Sequence, residues 1–173
     1  LLALWQLHYV HRTLVYPLLT ASGRPWPLVV VGLGFAFQCY NSYLNARFVS
    51  ELGDYPDSWL GDARFLAGVA VFGLGLLLNR RSDAILRRLR APGETGYRIP
   101  RGGGFELVSC PNYLGEILEW CGWALATWSW PGLAFALYTI ANLAPRAVTH
   151  HRWYRETFPD YPPERRALVP YLL

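Results

Sequence analysis

The 173-residue chain contains no methionine and no lysine, and all 16 of its basic residues are arginine. Without a methionine, Leu1 is not expected to be a natural start, so the sequence reads as part of a longer protein with N-terminal residues missing. A GC-rich, bacterial genome would explain the arginine bias, so not every arginine needs a functional reason. Cysteine is scarce. Cys39, Cys110 and Cys121 have neither metal-site nor disulfide-framework spacing, and they read as small buried hydrophobes. Charge is scarce too: 16% of residues are charged against 53% apolar, a balance that leaves the soluble globular range for that of membrane proteins. The absence of GxGxxG and of a Walker-type motif excludes Rossmann and P-loop nucleotide sites as far as motifs can. No signal peptide, internal repeat, low-complexity tract or linker is visible, so residues 1–173 read as a single domain.

Five apolar runs have the length of a membrane-crossing helix, at roughly 1–20, 27–49, 63–79, 112–129 and 131–150. The fold class expected is all-α, a polytopic transmembrane bundle. Ser129-Trp130-Pro131-Gly132 is too short to cross anything and predicts a tight hairpin between the last two helices. The segment 50–62 carries Glu51, Asp54, Asp57 and Asp62 with no basic residue, whereas 80–101 carries seven arginines. If the spans alternate, that basic loop, Arg24 and the C-terminal tail share one side, which the positive-inside rule makes cytoplasmic.

Helical spacing gathers the polar residues into stripes. Asn79, Asp83, Arg87 and Arg90 fall on one face if 79–90 is a short helix. Guanidinium forks there suit phosphate oxygens, although a solvated cytoplasmic helix fits the same spacing. Asn112, Glu116 and Glu119 form a second stripe on the fourth span, where carboxylates need donors or a wet cavity. Asn142, Arg146, His150 and Tyr154 form a third at strict i+4 steps. Structural ion pairing competes with a binding role for both. His8, Tyr9, His11 and Arg12 cluster on the first span, while Gln38, Asn41 and Asn45 need nothing beyond helix–helix hydrogen bonding. Gly102-Gly103-Gly104 fits either a plain turn or a backbone nest for an anion. His150 and His151 lack the companions of a metal site, so no metal is expected.

Several stretches together resemble the steroid 5-alpha-reductase family over nearly the whole chain: His8-Tyr9-Val-His11-Arg12-Thr13, Tyr55-Pro-Asp57-x-Trp59, Asn79-x-x-Ser82-Asp83, Ile85-Leu86-Arg87-x-Leu89-Arg90-x-Pro92-Gly93-Glu94, Tyr97-Arg98-Ile99-Pro100, Leu114-Gly115-Glu116-Ile117-x-Glu119-Trp120 and Arg146-x3-His150-His151-Arg152-x-Tyr154. The resemblance implies a seven-helix membrane enzyme that reduces the 4,5 double bond of 3-oxo-Δ4 steroids with NADPH, this chain being its last five helices. The family's Gln-Glu pair, which helps bind the steroid carbonyl, lies in helices before this chain. Residue by residue, the resemblance puts substrate binding on Tyr9 and Glu119, with Tyr9 also catalytic. It puts NADPH contacts on Arg24, Trp26, Asn79, Asp83, Arg87, Arg90, Tyr97, Arg98, Asn112, Glu116, Arg146, His150 and Tyr154. Trp26 stands where the family has Tyr, and Thr95-Gly96 where it has a Ser before the Tyr-Arg pair. The expected setting is a membrane monomer that draws steroid from the bilayer and NADPH from the cytoplasm. It binds no nucleic acid and sits in a bacterial inner membrane, or in the endoplasmic reticulum if the source is eukaryotic. Three alternatives remain open: a related lipid enoyl or polyprenol reductase, an S-adenosylmethionine-dependent membrane methyltransferase, and a non-catalytic sterol-binding protein. The methyltransferase gives no reason for the arginines, because its cofactor carries no phosphate.

Overall fold

A computed structural model describes residues 1–19, 26–89 and 96–173. The regular structure among those residues is helical, with no strand; a single bridge pairs Val108 with Arg166. The first helical segment is α1, Leu2–Val10, a wide π-helical turn His11–Val15, and α2, Tyr16–Leu19. Then follow α3 (Leu28–Arg47), α4 (Ala63–Arg88), α5 (Pro111–Thr127) and α6 (Trp130–Thr157).

All five expected spans are therefore helical, with two changes at their ends. The segment 79–88 is no separate helix but the last turns of the 26-residue α4. Nothing between Asn79 and Arg88 breaks a helix, since the stretch holds no Gly or Pro. Likewise α6 runs on to Thr157, past the expected end at 150. The predicted hairpin is present. Trp128 takes a left-handed conformation (φ 45°) that ends α5, and Ser129 caps α6 by accepting from the Gly132 amide at 3.1 Å. Among the described residues one helix, α4, is both long and apolar enough to cross a membrane. In the other four, the polar residues or the shorter length that carry the stripes bring the mean hydropathy or span below that mark.

Small residues set the tightest packing. A Cβ on Gly68, Gly75, Gly115 or Gly122 would meet backbone atoms of the facing helix at 2.3–2.5 Å. Two heptad-spaced glycine pairs thus let α4 and α5 touch backbone to backbone, as small-residue stripes do in membrane bundles. Beside this seam the rings of Trp5, Trp120, Trp123 and Phe135 form an aromatic core with Phe72. Trp123 Nε1 donates to Asn45 Oδ1 at 2.8 Å, which ties α3 to α5.

Each end of α5 is pinned by a different segment. At the C-terminal end, Tyr55 Oη donates to the Thr127 carbonyl at 2.7 Å and Trp59 Nε1 to that of Ala126 at 3.0 Å. Both carbonyls would otherwise lack an intrahelical partner. At the N-terminal end the tail folds back: Ser109 N donates to Arg166 O (2.8 Å) and Cys110 N to Ala167 O (3.2 Å). Ser109 Oγ sits 2.6 Å from both His151 Nδ1 and Tyr161 Oη. The fully buried Arg165 donates to the Pro100 carbonyl at 2.9 Å. Helix α5, which carries Asn112, Glu116 and Glu119, is therefore fixed at both ends and along one side.

Candidate active site

One cavity of about 280 Å³ opens where α1, α3, α5 and α6 meet. His8, Tyr9 and Arg12 line it from the first segment, Phe37 and Gln38 from α3, Glu116 from α5, and Phe135, Tyr138, Thr139, Asn142 and Leu143 from α6. Its volume lies at the lower edge of the range usual for ligand pockets, about 300–1,000 Å³. Its lining follows their usual composition, apolar walls with a few converging polar groups.

Tyr9 is half-buried and points its hydroxyl at Gln38 Oε1, 3.1 Å away, while Gln38 Nε2 donates to Ser42 Oγ at 3.0 Å. Rotating that amide by half a turn exchanges donor for acceptor. Nε2 then donates to the phenol oxygen, Ser42 donates to Oε1, and the Tyr9 proton is free for a ligand carbonyl. As it stands, Gln38 joins the first segment to α3, which is the helix–helix hydrogen bonding expected of it.

His8 and Glu119 form a buried pair, Nδ1 to Oε1 at 2.7 Å. Glu119 is fully buried and does not line the cavity; His8 stands between them. Of the two carboxylates that the resemblance implies for the site, Glu116 lies at the cavity wall and Glu119 reaches it through His8.

A polar tract leads from the cavity along α4. Arg12 donates to Asp83 Oδ2 at 3.2 Å, and its guanidinium lies 4.5 Å from the Tyr16 ring. Arg87 approaches the same ring at 5.6 Å, and its Nη1 is buried without a hydrogen-bond partner among the described residues. Asn79 Nδ2 donates to the Asn112 backbone carbonyl at 3.0 Å. Arg80, on another face of α4, donates to the Leu7 carbonyl at 3.0 Å. The first two stripes and the His8–Arg12 cluster thus meet. Spacing within one helix could show which residues share a face but not that Arg12 would find Asp83, 71 residues away.

The third stripe divides. Asn142 reaches the cavity, whereas Arg146 and His150 are exposed on the side of α6 towards the tail. Tyr113 Oη lies 3.3 Å from His150 Nε2. Tyr154 stacks on Tyr161 with ring centroids 5.3 Å apart. Exposed Tyr97 meets the Trp153 ring edge-on at 4.9 Å, and Arg98 beside it is exposed. Trp26 is 71% exposed. Arg24 and Arg90 lie outside the described residues. At Gly102 and Gly103, both with positive φ (91° and 54°), the backbone forms the concave turn the glycines permit. The anion it receives is the chain's own: Gly102 N donates to Glu106 Oε1.

Outside the bundle, Asp62 caps α4. Its carboxylate accepts from Arg64 N at 2.8 Å and from the Arg64 guanidinium at 2.9 Å. Those bonds hold its pKa down, at about 2. Burial pushes the Cys110 thiol up to about 12, so at neutral pH it remains a thiol.

An all-helical bundle with a polar cleft, a phenol and an amide at its cavity and a guanidinium tract leading away defines a class of small-molecule-binding helical protein. Comparison with known proteins narrows it. A family profile described as 3-oxo-5-alpha-steroid 4-dehydrogenase matches residues 24–173. The chain is 51% identical over all its 173 residues to 3-oxo-5-alpha-steroid 4-dehydrogenase 1 of Bos taurus, covering 67% of that protein. It is 51% identical over 172 residues to 3-oxo-5-alpha-steroid 4-dehydrogenase 2 of Homo sapiens, 99% of this chain and 67% of that one. The human form 1 is 49% identical over 172 residues, with 99% and 66% covered. The chain belongs to the 3-oxo-5-alpha-steroid 4-dehydrogenase family, and it spans about two thirds of the length of these relatives. All three are mammalian, so the bacterial source expected from composition finds no support in them.

Proposed function

We propose that this protein reduces the 4,5 double bond of 3-oxo-Δ4 steroids to 5-alpha-dihydrosteroids with NADPH, as a multi-pass membrane enzyme. The observation that carries this reading is a single cavity lined by both Tyr9 and Arg12, with Arg12 joined through Tyr16 to the half-buried Arg87. The cavity offers apolar walls and a hydroxyl donor, as a steroid ketone requires. The tract offers guanidinium groups, as a phosphorylated dinucleotide requires.

Several residues fit such a cofactor. Arg87 Nη1 is a buried cationic donor without an acceptor among the described residues, a costly state that a phosphate oxygen relieves. Arg87 and Arg12 would hold the phosphates, assisted by Arg24, Arg90 and Arg98. Asn112, with Asn79 and Asp83 behind it, and Glu116 would hold the carboxamide end. Trp26, Tyr97, Arg146, His150 and Tyr154 would take the remaining polar groups. When bound, reduced nicotinamide supplies the hydride.

The chain's own residues do the rest. Adding hydride to the β-carbon of an enone moves negative charge onto the ketone oxygen. Tyr9 meets that charge with its hydroxyl proton once Gln38 turns to donate to the phenol oxygen. Phe37, Phe135 and Leu143 exclude water around it. Such preorganised donors act most strongly where charge develops in the transition state.

A membrane setting is supported by the outer surface. Leu18 and Leu28 are each 87% exposed and Trp130 80%, within a broad belt of apolar side chains that water would not tolerate. The protein works as a monomer in an internal eukaryotic membrane, the endoplasmic reticulum. It takes steroid laterally from lipid and NADPH from the cytoplasmic side.

The test is turnover of a 3-oxo-Δ4 steroid by the full-length protein in membranes with NADPH. The expected result is a product heavier by two hydrogens, with NADPH consumed in equal amount. Binding of steroid without NADPH-dependent saturation would reject the proposal, as would methyl transfer from S-adenosylmethionine.

A further inference from the structure

We propose that His8 is the proton donor to the α-carbon of the enone, held in place for that step by Glu119. The inference rests on the reductase reading and adds a group that reading leaves unnamed. Conjugate reduction breaks one C=C π bond and makes two C–H bonds. The hydride fills the β-carbon, and a proton must fill the α-carbon as the enolate returns to a ketone. The proton that Tyr9 offers is engaged at the oxygen, so carbon protonation needs a second acid.

The cavity holds a short list of candidates. Arg12 stays a cation beside Asp83 and does not release protons near neutrality. Tyr9 and Tyr138 are phenols, and Glu116 is a carboxyl group. His8 brings an imidazole to the lining, a group that can give a proton from one nitrogen while the other is held by a hydrogen bond.

The geometry orients it. A carboxylate only accepts hydrogen bonds, so Glu119 Oε1, at 2.7 Å, fixes the His8 Nδ1–H tautomer. Nε2 then lies on the far side of the ring and has no hydrogen-bond partner among the described residues. The ring is clamped by edge contacts to Tyr9 (4.9 Å) and Trp120 (4.7 Å). That nitrogen, Nε2, is not sealed away, and on a residue that lines the cavity it is open to a ligand. The other Glu119 oxygen, Oε2, is buried with no hydrogen-bond partner among the described residues. A carboxylate kept there at that cost is explained by the charge it offers to an imidazolium.

The charged or titratable groups around His8 are Glu119 and Glu116 on α5, His11 and Arg12 in the first segment, and Arg80 on α4, which bonds the Leu7 carbonyl. Gln38 of α3 and Tyr138 and Asn142 of α6 bring no fixed charge to the cavity. After donation, the neutral imidazole regains a proton from water at the Arg12 end, where that side chain is 41% exposed.

The decisive variant is His8→Gln, whose amide can still donate to Glu119 but cannot titrate. In full-length protein, the expected loss in kcat is about 100-fold or more, the lower end of a general acid's contribution, with steroid and NADPH KM changed by less than about threefold. The fall in kcat with rising pH, which reports the acid form, disappears. Glu119→Gln should move that alkaline limb to lower pH, because the imidazolium loses its neighbouring charge. In the ligand-free wild type, 15N spectra should show one histidine held as the Nδ1–H tautomer, lost in Glu119→Gln. A His8→Gln enzyme with wild-type kcat and an unchanged alkaline limb would overturn the proposal while leaving the reductase reading intact. If His8→Gln does not fold, an unshifted limb in Glu119→Gln overturns it. A wild type that does not turn over steroid refutes the reductase reading instead.

Discussion

Gly75 lies against the backbone of Glu119 so closely that a Cβ on it would stand 2.4 Å from the Glu119 nitrogen. The height of the carboxylate opposite His8 is thus set by a residue with no side chain on the next helix. Gly75→Ala must push α4 and α5 apart and cost about 1–3 kcal/mol of stability, the usual range for overpacking. Thermal unfolding in detergent checks this. Activity should fall with it, since the same shift lengthens the His8–Glu119 contact. Gly73, where an added Cβ would meet nothing within 4 Å, is the control, and Gly73→Ala should be neutral.

Tyr9→Phe removes the one hydroxyl aimed into the cavity from the first segment and leaves the ring contacts with Trp5 and Trp120 in place. Losing a single oxyanion donor costs about 2.7–4 kcal/mol. The expected result is a kcat lower by roughly 10²–10³ with NADPH affinity nearly unchanged. Unchanged turnover would remove Tyr9 from the chemistry.

Arg87→Ala should weaken NADPH by about tenfold or more, from loss of a charge-assisted hydrogen bond of about 1.5–3 kcal/mol, and should leave steroid KM close to wild type. Titration of NADPH by fluorescence, alongside steady-state kinetics, measures both. Equal use of NADH by the wild type would count against a clamp for the extra phosphate.

Asp62 gives a pH dependence. Its pKa is lowered from the usual 3.8 to about 2 by the hydrogen bonds from Arg64. A depressed carboxyl pKa stabilises the fold in full above the unfolded value and loses that contribution as pH falls through the folded one. The capped α4 start should therefore hold from neutral pH to about pH 4 and weaken between about pH 4 and pH 2. Asp62→Ala should show lower stability at neutral pH and a flatter response across that window, measured by denaturation in detergent.

Much of this molecule was legible in one dimension. Apolar run lengths located all five helical spans, and Ser129-Trp130-Pro131-Gly132 located the hairpin, because a Ser cap and a first-turn Pro act within four residues. The motif around His8-Tyr9 and Leu114-Gly115-Glu116 carried the family. The continuation of α4 through 88 was missed because the charge change at Asn79 marks where polarity begins and says nothing of where the helix ends. Arginine bias reports genome composition and not lineage, and the mammalian relatives lend the bacterial expectation no support.

What the sequence by itself determined is helix position, face and chemistry: which residues share a stripe follows from a period of 3.6 residues and needs no neighbour. Only the tertiary structure decided the pairings. Arg12 with Asp83, His8 with Glu119 and Tyr9 with Gln38 join residues 71, 111 and 29 positions apart. Those partners depend on how closely two helices approach and at what rotation, and here Gly75 and Gly115 set that approach. Glu116 and Glu119 share one stripe, but a single helix cannot say which of its carboxylates will meet the cavity and which will be sealed behind a neighbour's imidazole.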